Sequence, residues 1–558
     1  MAHRVARSSG RIVILVALVT YGIGAIAQNT FDWVQRGGGS ANDRGHGICT
    51  DAWGNIYITG VAELNAVFGT HTLASGPAAD VFVAKYDPYG TALWARMGGS
   101  SASLEGGSDI CTDPEGNVYV YGVIKNTATF DGITLVSHGG VDLFLAKYDS
   151  LGNILWAVNA GGVNDEVAGG LALDEQGNVL ITGKIMGDAY FGAYTLADPV
   201  PGGSDMLLAK YDAEGNFLWA KRYGGSNSGA EGRQMALDAA GNIYVTGYFT
   251  NQVDFGGFIH NSSGHCPFLT KYDADGTVLW SVAPNAISGE GTGLAVTAEG
   301  GAIITGFFFD GQIQFSGEQL LAPNHEAEIY LVRYDTQGSL QWARSAGGLG
   351  RQKPSRLALD PEGRIIMGGF FNAPTEFGPY TLTPEGETDA FVAFWSSNGD
   401  VLSLTGMGSS QQIPLYYEEV VNDVTVDPSG TIYLTGTFKG TATFAPHTIT
   451  STGNADMFIA RMPGMINSVN EVPRGDWSIG PNPTTGLILV RAASSMADHA
   501  VVLELCDPTG RVVHRASFTH FAAGGAYELD LGSHAVGTYL LRIMGGQAPW
   551  VRPVVLAR

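Results

Sequence analysis

Between residues 31 and 463 the chain alternates apolar and polar positions in short runs, and the runs recur in a fixed order. In the second cycle they read GSDICTDPEG, NVYVYGVI, VDLFLAKYD and NILWAVNA. A period of two places every other side chain on one face of an extended strand, and the Gly, Asp and Asn between runs supply tight turns. The pattern predicts four antiparallel strands per cycle, joined by hairpins. Tryptophan sets the cycle length: Trp33, Trp94, Trp156, Trp219, Trp280 and Trp342 fall 61 to 63 residues apart, and the next slot holds Ser403. Seven second strands begin at Asn55, Asn117, Asn178, Asn242, Ala302, Arg364 and Thr431. Four strands in a repeat of this length make one propeller blade, so the sequence predicts an all-β, seven-bladed β-propeller.

The seventh repeat stops at ADMFIARMPG without a fourth strand, while FDWVQRGG at residues 31 to 38 fits the fourth-strand pattern and has no repeat of its own. The N-terminal strand is therefore expected to close the last blade and remove an exposed edge. In the recurrent KYDxxGxxLW hairpin, Asp and Gly supply the turn, and Tyr and Trp supply apolar surface between blades. The sixth repeat keeps Trp395 in the Tyr slot and loses the Trp to Ser403, a local repacking. Between second and third strands an aromatic-Gly pair followed by Leu (VFGTHTL, TFDGITL, YFGAYTL, EFGPYTL) predicts a small packing hairpin or bulge at the rim.

Residues 1–27 depart from this pattern. Arg4, Arg7 and Arg11 precede the apolar run IVILVALVTYGIGAIA, which ends in Ala25-Ile26-Ala27, the form of a Sec signal peptide. No other segment has the length and hydropathy of a membrane span. The chain carries 79 glycines and a net charge of −23, and the leader removes only cations. Such a charge argues against nucleic acid and anionic lipid as partners and suits an exported protein. Four cysteines over 558 residues are no disulfide framework. Cys49 and Cys111 share one repeat slot, read as small buried side chains that do not bridge.

The pattern DxxGNxYxTG followed by DxFxAKYDxxGxxxW, met by Asp113 to Gly122 and Asp142 to Trp156, resembles the SBBP-type β-propeller repeat family. The resemblance spans roughly residues 31 to 464 and implies a fold without a shared catalytic motif. After a polar linker, residues 465–475, comes a separate all-β unit over 476–558 with the alternation of a β-sandwich. It is similar to the type A C-terminal sorting domain of the type IX secretion system through Pro481-Asn482-Pro483 with Gly486, through Gly510-Arg511, and through Gly537 with Tyr539. That likeness implies the type IX secretion machinery as a partner. It also implies export through Sec to the periplasm, passage across the outer membrane of a Bacteroidota-type cell, and surface attachment or release. The propeller itself occupies residues 28–464.

The chain carries no GxSxG, HExxH, CxxC or phosphate-binding loop, and no cofactor or metal is expected. The DPEGN-type loops read as Asp-capped turns rather than calcium loops. Candidate binding chemistry lies on the connections from fourth strand to next first strand, which open beside the central channel. An acid stands eight or seven residues before the turn-marking position in six repeats: Asp43, Glu105, Glu166, Glu231, Glu290 and Glu419. The sixth repeat has Arg351-Gln352-Lys353 instead. The longest connection, in the seventh repeat, adds Tyr416, Tyr417 and Glu418. These acids and tyrosines could hold a cation, a basic or hydroxyl-rich ligand or a protein edge, and the acids equally suit loop capping. His260, His265 and Cys266 are weighed as metal ligands and set aside, because Cys266 merely takes the recurring Asp slot. The expected function is a secreted or cell-surface, non-enzymatic scaffold that binds protein or glycan. The alternative is a polysaccharide-active enzyme, with a pair such as Glu418 and Glu419 facing across a cleft.

Overall fold

The structure is a computed structural model. It describes residues 30–556 except 75–77, 101–104, 287, 310, 323–325, 411–418, 465–476, 481–483, 485, 493–498, 507–511, 522–524, 533, 535–536 and 545–549. Residues 1–27 and 465–475, read from the sequence as a signal peptide and a linker, lie outside the described residues. Two compact units divide between Gly464 and Met465. Among the described residues all regular structure is strand, and no helix is long and apolar enough to cross a membrane.

The larger unit has a β-propeller arrangement. Each repeat forms a four-strand antiparallel meander; in the third these strands are Val167–Leu173, Val179–Ile185, Asp205–Tyr211 and Phe217–Tyr223. The first strand of every repeat packs against the first strands of the repeats before and after it, and the seventh packs against the first, so the inner strands enclose a channel. The seventh repeat takes its fourth strand from the other end of the unit: Trp33–Gly38 pairs antiparallel with Asp456–Met462, from Trp33↔Arg461 to Gly37↔Met457.

Seven repeats do not give seven separate sheets, as the sequence pattern leads one to expect. Gly98↔Phe130 and Gly99↔Thr129 join the first two repeats into one ten-stranded sheet, and other sheets gain hairpins in the same way. The connection between second and third strands folds into a hairpin that hydrogen-bonds to the fourth strand of the preceding repeat, as at Gly37↔Phe68, Ala160↔Phe191 and Gly347↔Glu376. The close approach needs glycine on one side. A Cβ on Gly98 would lie 2.1 Å from the Phe130 ring.

The recurring hairpin is the contact between repeats. Trp94 of the first repeat donates its indole N–H to the Ser150 carbonyl in the turn of the second at 3.1 Å, and Trp156 and Trp280 repeat the bond to Ala213 and Thr336. Gly152, at φ +81°, lies beneath the Trp94 ring, where a Cβ would meet it at 2.7 Å. The turn thus needs Gly for its left-handed backbone and for the indole above it. Turn-marking aspartates cap their own loops: Asp51 accepts N–H bonds from Trp53 and Asn55, each at 2.9 Å. Cys49 and Cys111 are unbridged and half-buried. The apolar core runs between sheets rather than within one; a single cluster spans Leu180, Met206, Tyr244, Phe268, Ile304 and Tyr330 of three successive repeats. This follows from stacking sheets face to face around an axis.

The smaller unit holds two sheets, one of Trp477–Gly480, Leu487–Ala492 and Ala526–Asp530 and one of His499–Cys506, Val512–Phe521, Gly537–Met544 and Trp550–Leu556. Ile488, Val490 and Leu529 of the first share one buried core with Leu503, Leu541 and Val554 of the second.

Candidate functional site

The repeated acids of the fourth-to-first connections divide into two groups, and the divider is one residue of register. Asp43, Glu105, Glu166 and Glu419 stand eight residues before their markers, and all four are buried. Asp43 accepts N–H bonds from Gly39 at 2.7 Å and Glu63 at 2.9 Å, Glu166 accepts from Gly162 N–H at 3.3 Å, and Glu419 accepts from both N–H and hydroxyl of Ser409. They cap the connecting loops and do not face the channel as a ring. Gln352 takes the same slot in the sixth repeat and is fully buried. Burial, with the Asp142 carboxyl adding to it, pushes Glu166 up to about 8; burial pushes Glu105 and Glu419 up to about 7 and Asp43 to about 6.

Glu231 and Glu290 stand seven residues before their markers, and in a strand a shift of one turns a side chain to the opposite face. They belong to the inner strands Gly229–Leu237 and Gly289–Val296 and line the channel. Every inner strand also carries a β-bulge two residues further on, as at Gly232/Gln234 and Gly291/Gly293. A bulge re-aims the extra residue, and in the fourth repeat that residue is Arg233. Its guanidinium bridges the two acids, at 3.2 Å to Glu231 and 3.0 Å to Glu290. Lys184 lies 3.6 Å from Glu231, and His265 Nδ1 lies 3.0 Å from Glu290. Tyr248 donates its hydroxyl to Glu231 at 3.1 Å, stacks on His265 at 4.5 Å and carries Arg233 over its ring at 5.1 Å. Lys353, in the sixth repeat, sits 3.9 Å from the centre of the Phe307 ring and 5.7 Å from that of Phe309.

Four residues before each marker is a second row: Gly47, Asp109, Gly170, Gln234, Gly293, Arg356 and Asp423. Arg356 crosses the channel, donating to Asp109 of the second repeat at 3.0 Å and to Gln234 of the fourth at 2.8 Å. Asp109 also accepts from Leu171 N–H, and Asp423 from Ile48 N–H, each at 2.9 Å, so these acids staple neighbouring inner strands. Burial works against the charge of Arg356, but Asp109 and Asp423 outweigh it and raise its pKa. Burial, with Asp109 as a like charge and against the pull of Arg356, lifts Asp423 to about 7.

Above this crossbar lies a cavity of about 630 Å³. It is lined by Glu231, Arg233 and Glu290 of the fourth and fifth repeats, by Lys353 and Arg356 of the sixth, and by Ala168 and Gly169 of the third. Sequence reasoning identified Glu231 and Glu290 but missed Arg233, Arg356, Tyr248 and Phe307; the spacing of seven against eight was the available signal. Tyr416, Tyr417 and Glu418 lie outside the described residues, as do Pro481, Asn482, Pro483, Gly510 and Arg511. Gly486 precedes the strand Leu487–Ala492, and Gly537 opens the strand in which Tyr539 is buried. His260 bonds to Ser281 and Cys266 to the Pro284 carbonyl, apart from the His265 contact with Glu290. Among the described residues no group of three or more His, Cys, Asp or Glu side chains could hold a metal.

Residues 478–557 match the family model for the secretion system C-terminal sorting domain, and residues 218–251 match that for the SBBP β-propeller repeat. An uncharacterized WD repeat-containing protein of Acanthamoeba polyphaga mimivirus is 24% identical over 73% of this chain and 36% of its own length. The regulatory protein FlaEY of Caulobacter vibrioides is 24% identical over 52% of this chain and 30% of its own. The chain thus spans about a third of the curated relatives it matches. Among solved structures, a gluconolactonase from Xanthomonas campestris is 11% identical with a TM-score of 0.30, covering 77% of this chain and 99% of the other. A DUF4221 protein from Bacteroides vulgatus is 11% identical with a TM-score of 0.31, covering 65% and 93%. At these scores the likenesses carry no functional information. The chain is thus similar to the SBBP β-propeller repeat over residues 218–251 and to the secretion system C-terminal sorting domain over residues 478–557, and the sorting-domain match is the mark of an exported protein of the cell surface or its surroundings.

Proposed function

We propose that this protein is a non-enzymatic binding scaffold of the cell surface or medium whose ligand, a glycan or a protein, seats at the channel mouth beside Glu231, Arg233 and Glu290. The carrying observation is that the repeat is broken there: three charged side chains from two repeats converge on a cavity, whereas the other acids of the series are spent on loop caps. A departure from the repeat is where function separates from scaffold. We count the ring as seven blades, one per repeat, and read the two sheets of the smaller unit as a β-sandwich. Export begins with a Sec step to the periplasm directed by residues 1–27.

The alternative is a polysaccharide-active enzyme. Paired catalytic carboxyls need unequal protonation across a cleft, whereas Glu231 and Glu290 are both tied to one guanidinium, which favours binding. The test is a glycan and protein array probed with wild-type protein and Glu290→Gln, run beside a hydrolase screen. Ligand retention that falls in the variant, with no turnover, supports the scaffold; turnover abolished by Glu290→Gln supports the enzyme.

A further inference from the structure

The channel-mouth cavity has a shape and a charge balance that narrow its ligand, given the binding role proposed above. At about 630 Å³ it falls within the range of roughly 300–1,000 Å³ typical of small-molecule sites. A stable protein partner instead needs a contact surface of roughly 800 Å² on each side. Arg356 reaches from the sixth repeat to Asp109 of the second and Gln234 of the fourth, so its side chain obstructs the channel at that level. Such an obstruction favours entry of a polymer's end or side branch over threading.

Both guanidinium groups of the lining are matched locally, and the Lys353 ammonium stands over the Phe307 ring. Arg233 lies between Glu231 and Glu290, Lys184 approaches Glu231, and Arg356 is held by Asp109 with Asp423 beside it. An anionic ligand would have to compete for guanidinium groups already bonded to carboxylates, and would approach a chain of net charge −23. A cationic ligand would have to compete with arginine for the same carboxylates. A ligand of neutral hydroxyls meets neither obstacle, since each hydroxyl both donates and accepts and can bridge a carboxylate to a neighbouring guanidinium. Ala168, Pro354 and Val420 interrupt the polar lining with apolar surface suited to the C–H face of a sugar ring.

We propose that the cavity takes the terminal or branch residue of a neutral saccharide, inserted end-on above the Arg356 crossbar. The measurement is calorimetric titration of the full chain with neutral oligosaccharides (gluco-, manno- and xylo-series of increasing length) and with oligogalacturonate, at low and high salt. The expected result is binding of at least one neutral series, with an affinity that stops rising once the terminal residues are present and is unchanged by salt. Arg233→Met, which removes the bridge, and Ala168→Trp, which fills the cavity without touching an ion pair, should each weaken it by at least about tenfold. Melting curves identify a variant that has lost its fold, and the other then decides. Binding confined to oligogalacturonate and weakened by salt would overturn the neutral-ligand inference and leave the binding role standing. Affinity that climbs steadily with chain length would instead overturn end-on insertion, because an internal stretch would then be held. Neutral binding that survives both substitutions would overturn the site, and with it the binding role given to the mouth. If no saccharide binds, the saccharide inference fails, while the array with Glu290→Gln still decides whether the mouth serves a protein.

Discussion

The half-buried Arg356 guanidinium lies among groups contributed by three other repeats, and its removal leaves Asp109 without its ion-pair partner and Asp423 without a nearby cation. Breaking a fully buried pair from one side costs about 3–5 kcal/mol, and a pair that borders the cavity should fall at the lower end of that range. Arg356→Met should therefore lower the melting temperature sharply, and Asp109→Asn added to it should restore a large part of the loss in a double-mutant cycle. An additive outcome would show that the two residues do not act as a pair. The charges of this row were visible in the sequence as Asp109, Arg356 and Asp423 in a common repeat slot, but their meeting was not. Repeat numbering says which residues are equivalent, not how far each reaches across an axis. Glu231 and Glu290 were identified with the wrong companions for a related reason: an acid seven residues from its marker and one eight residues away look alike until strand register separates them.

Between neighbouring meanders, the loop-capping acids meet the acids that begin the third strands. Glu166 lies beside Asp142, Glu419 beside Asp389 and Asp43 beside Asp456. Asp142, Asp389 and Asp456 each keep a buried oxygen without a hydrogen-bond partner. Glu105, Glu166, Glu328 and Glu419 are raised to about 7, 8, 7 and 7 from an ordinary 4.5, burial being the foremost cause. A raised carboxyl means that the folded state binds protons the unfolded state releases, so this stability is complete below about pH 4.5 and is lost as pH climbs through 6 to 8. Turn aspartates such as Asp149 and Asp212 are lowered: burial opposes the shift, and N–H and amide donors outweigh it. Their contribution is lost on acidification below about pH 4. Thermal melts should thus peak near pH 5 and fall toward pH 8.5, and Glu166→Gln with Glu419→Gln should flatten the alkaline limb. The sixth repeat already carries the neutral form as Gln352. A limb unchanged in the double variant would remove these acids as its source. The strands, hairpins and closing segment at this scale were legible because turn residues and alternation are local signals. The hairpin bonds that merge sheets were not, because they join residues of different repeats.

The sorting-domain match and the propeller occupy different units of the chain, so sorting and the proposed binding role should be separable. A chain lacking residues 476–558 should keep the propeller fold and its ligand while failing to reach the cell surface, as read by fractionation and surface labelling; surface delivery without those residues would refute the sorting role. The division was legible in the composition change after Met465, and the sorting family in its short motifs, whereas ligand identity depends on side chains brought together only by closure. Deleting residues 31–38 should leave Asp456–Met462 as an open edge, lowering the melting temperature and promoting aggregation, with an unchanged melt arguing against closure. The clasp also bears on the order of folding. It joins segments more than four hundred residues apart, whereas other neighbouring strands of the ring pair within or next to their own repeat. Closing so long a loop costs about 2 kcal/mol more than closing one repeat, at about 0.6 kcal/mol per doubling of length. The seam is therefore expected to be the last contact to form, leaving the ring an unclosed arc until its seventh repeat has folded.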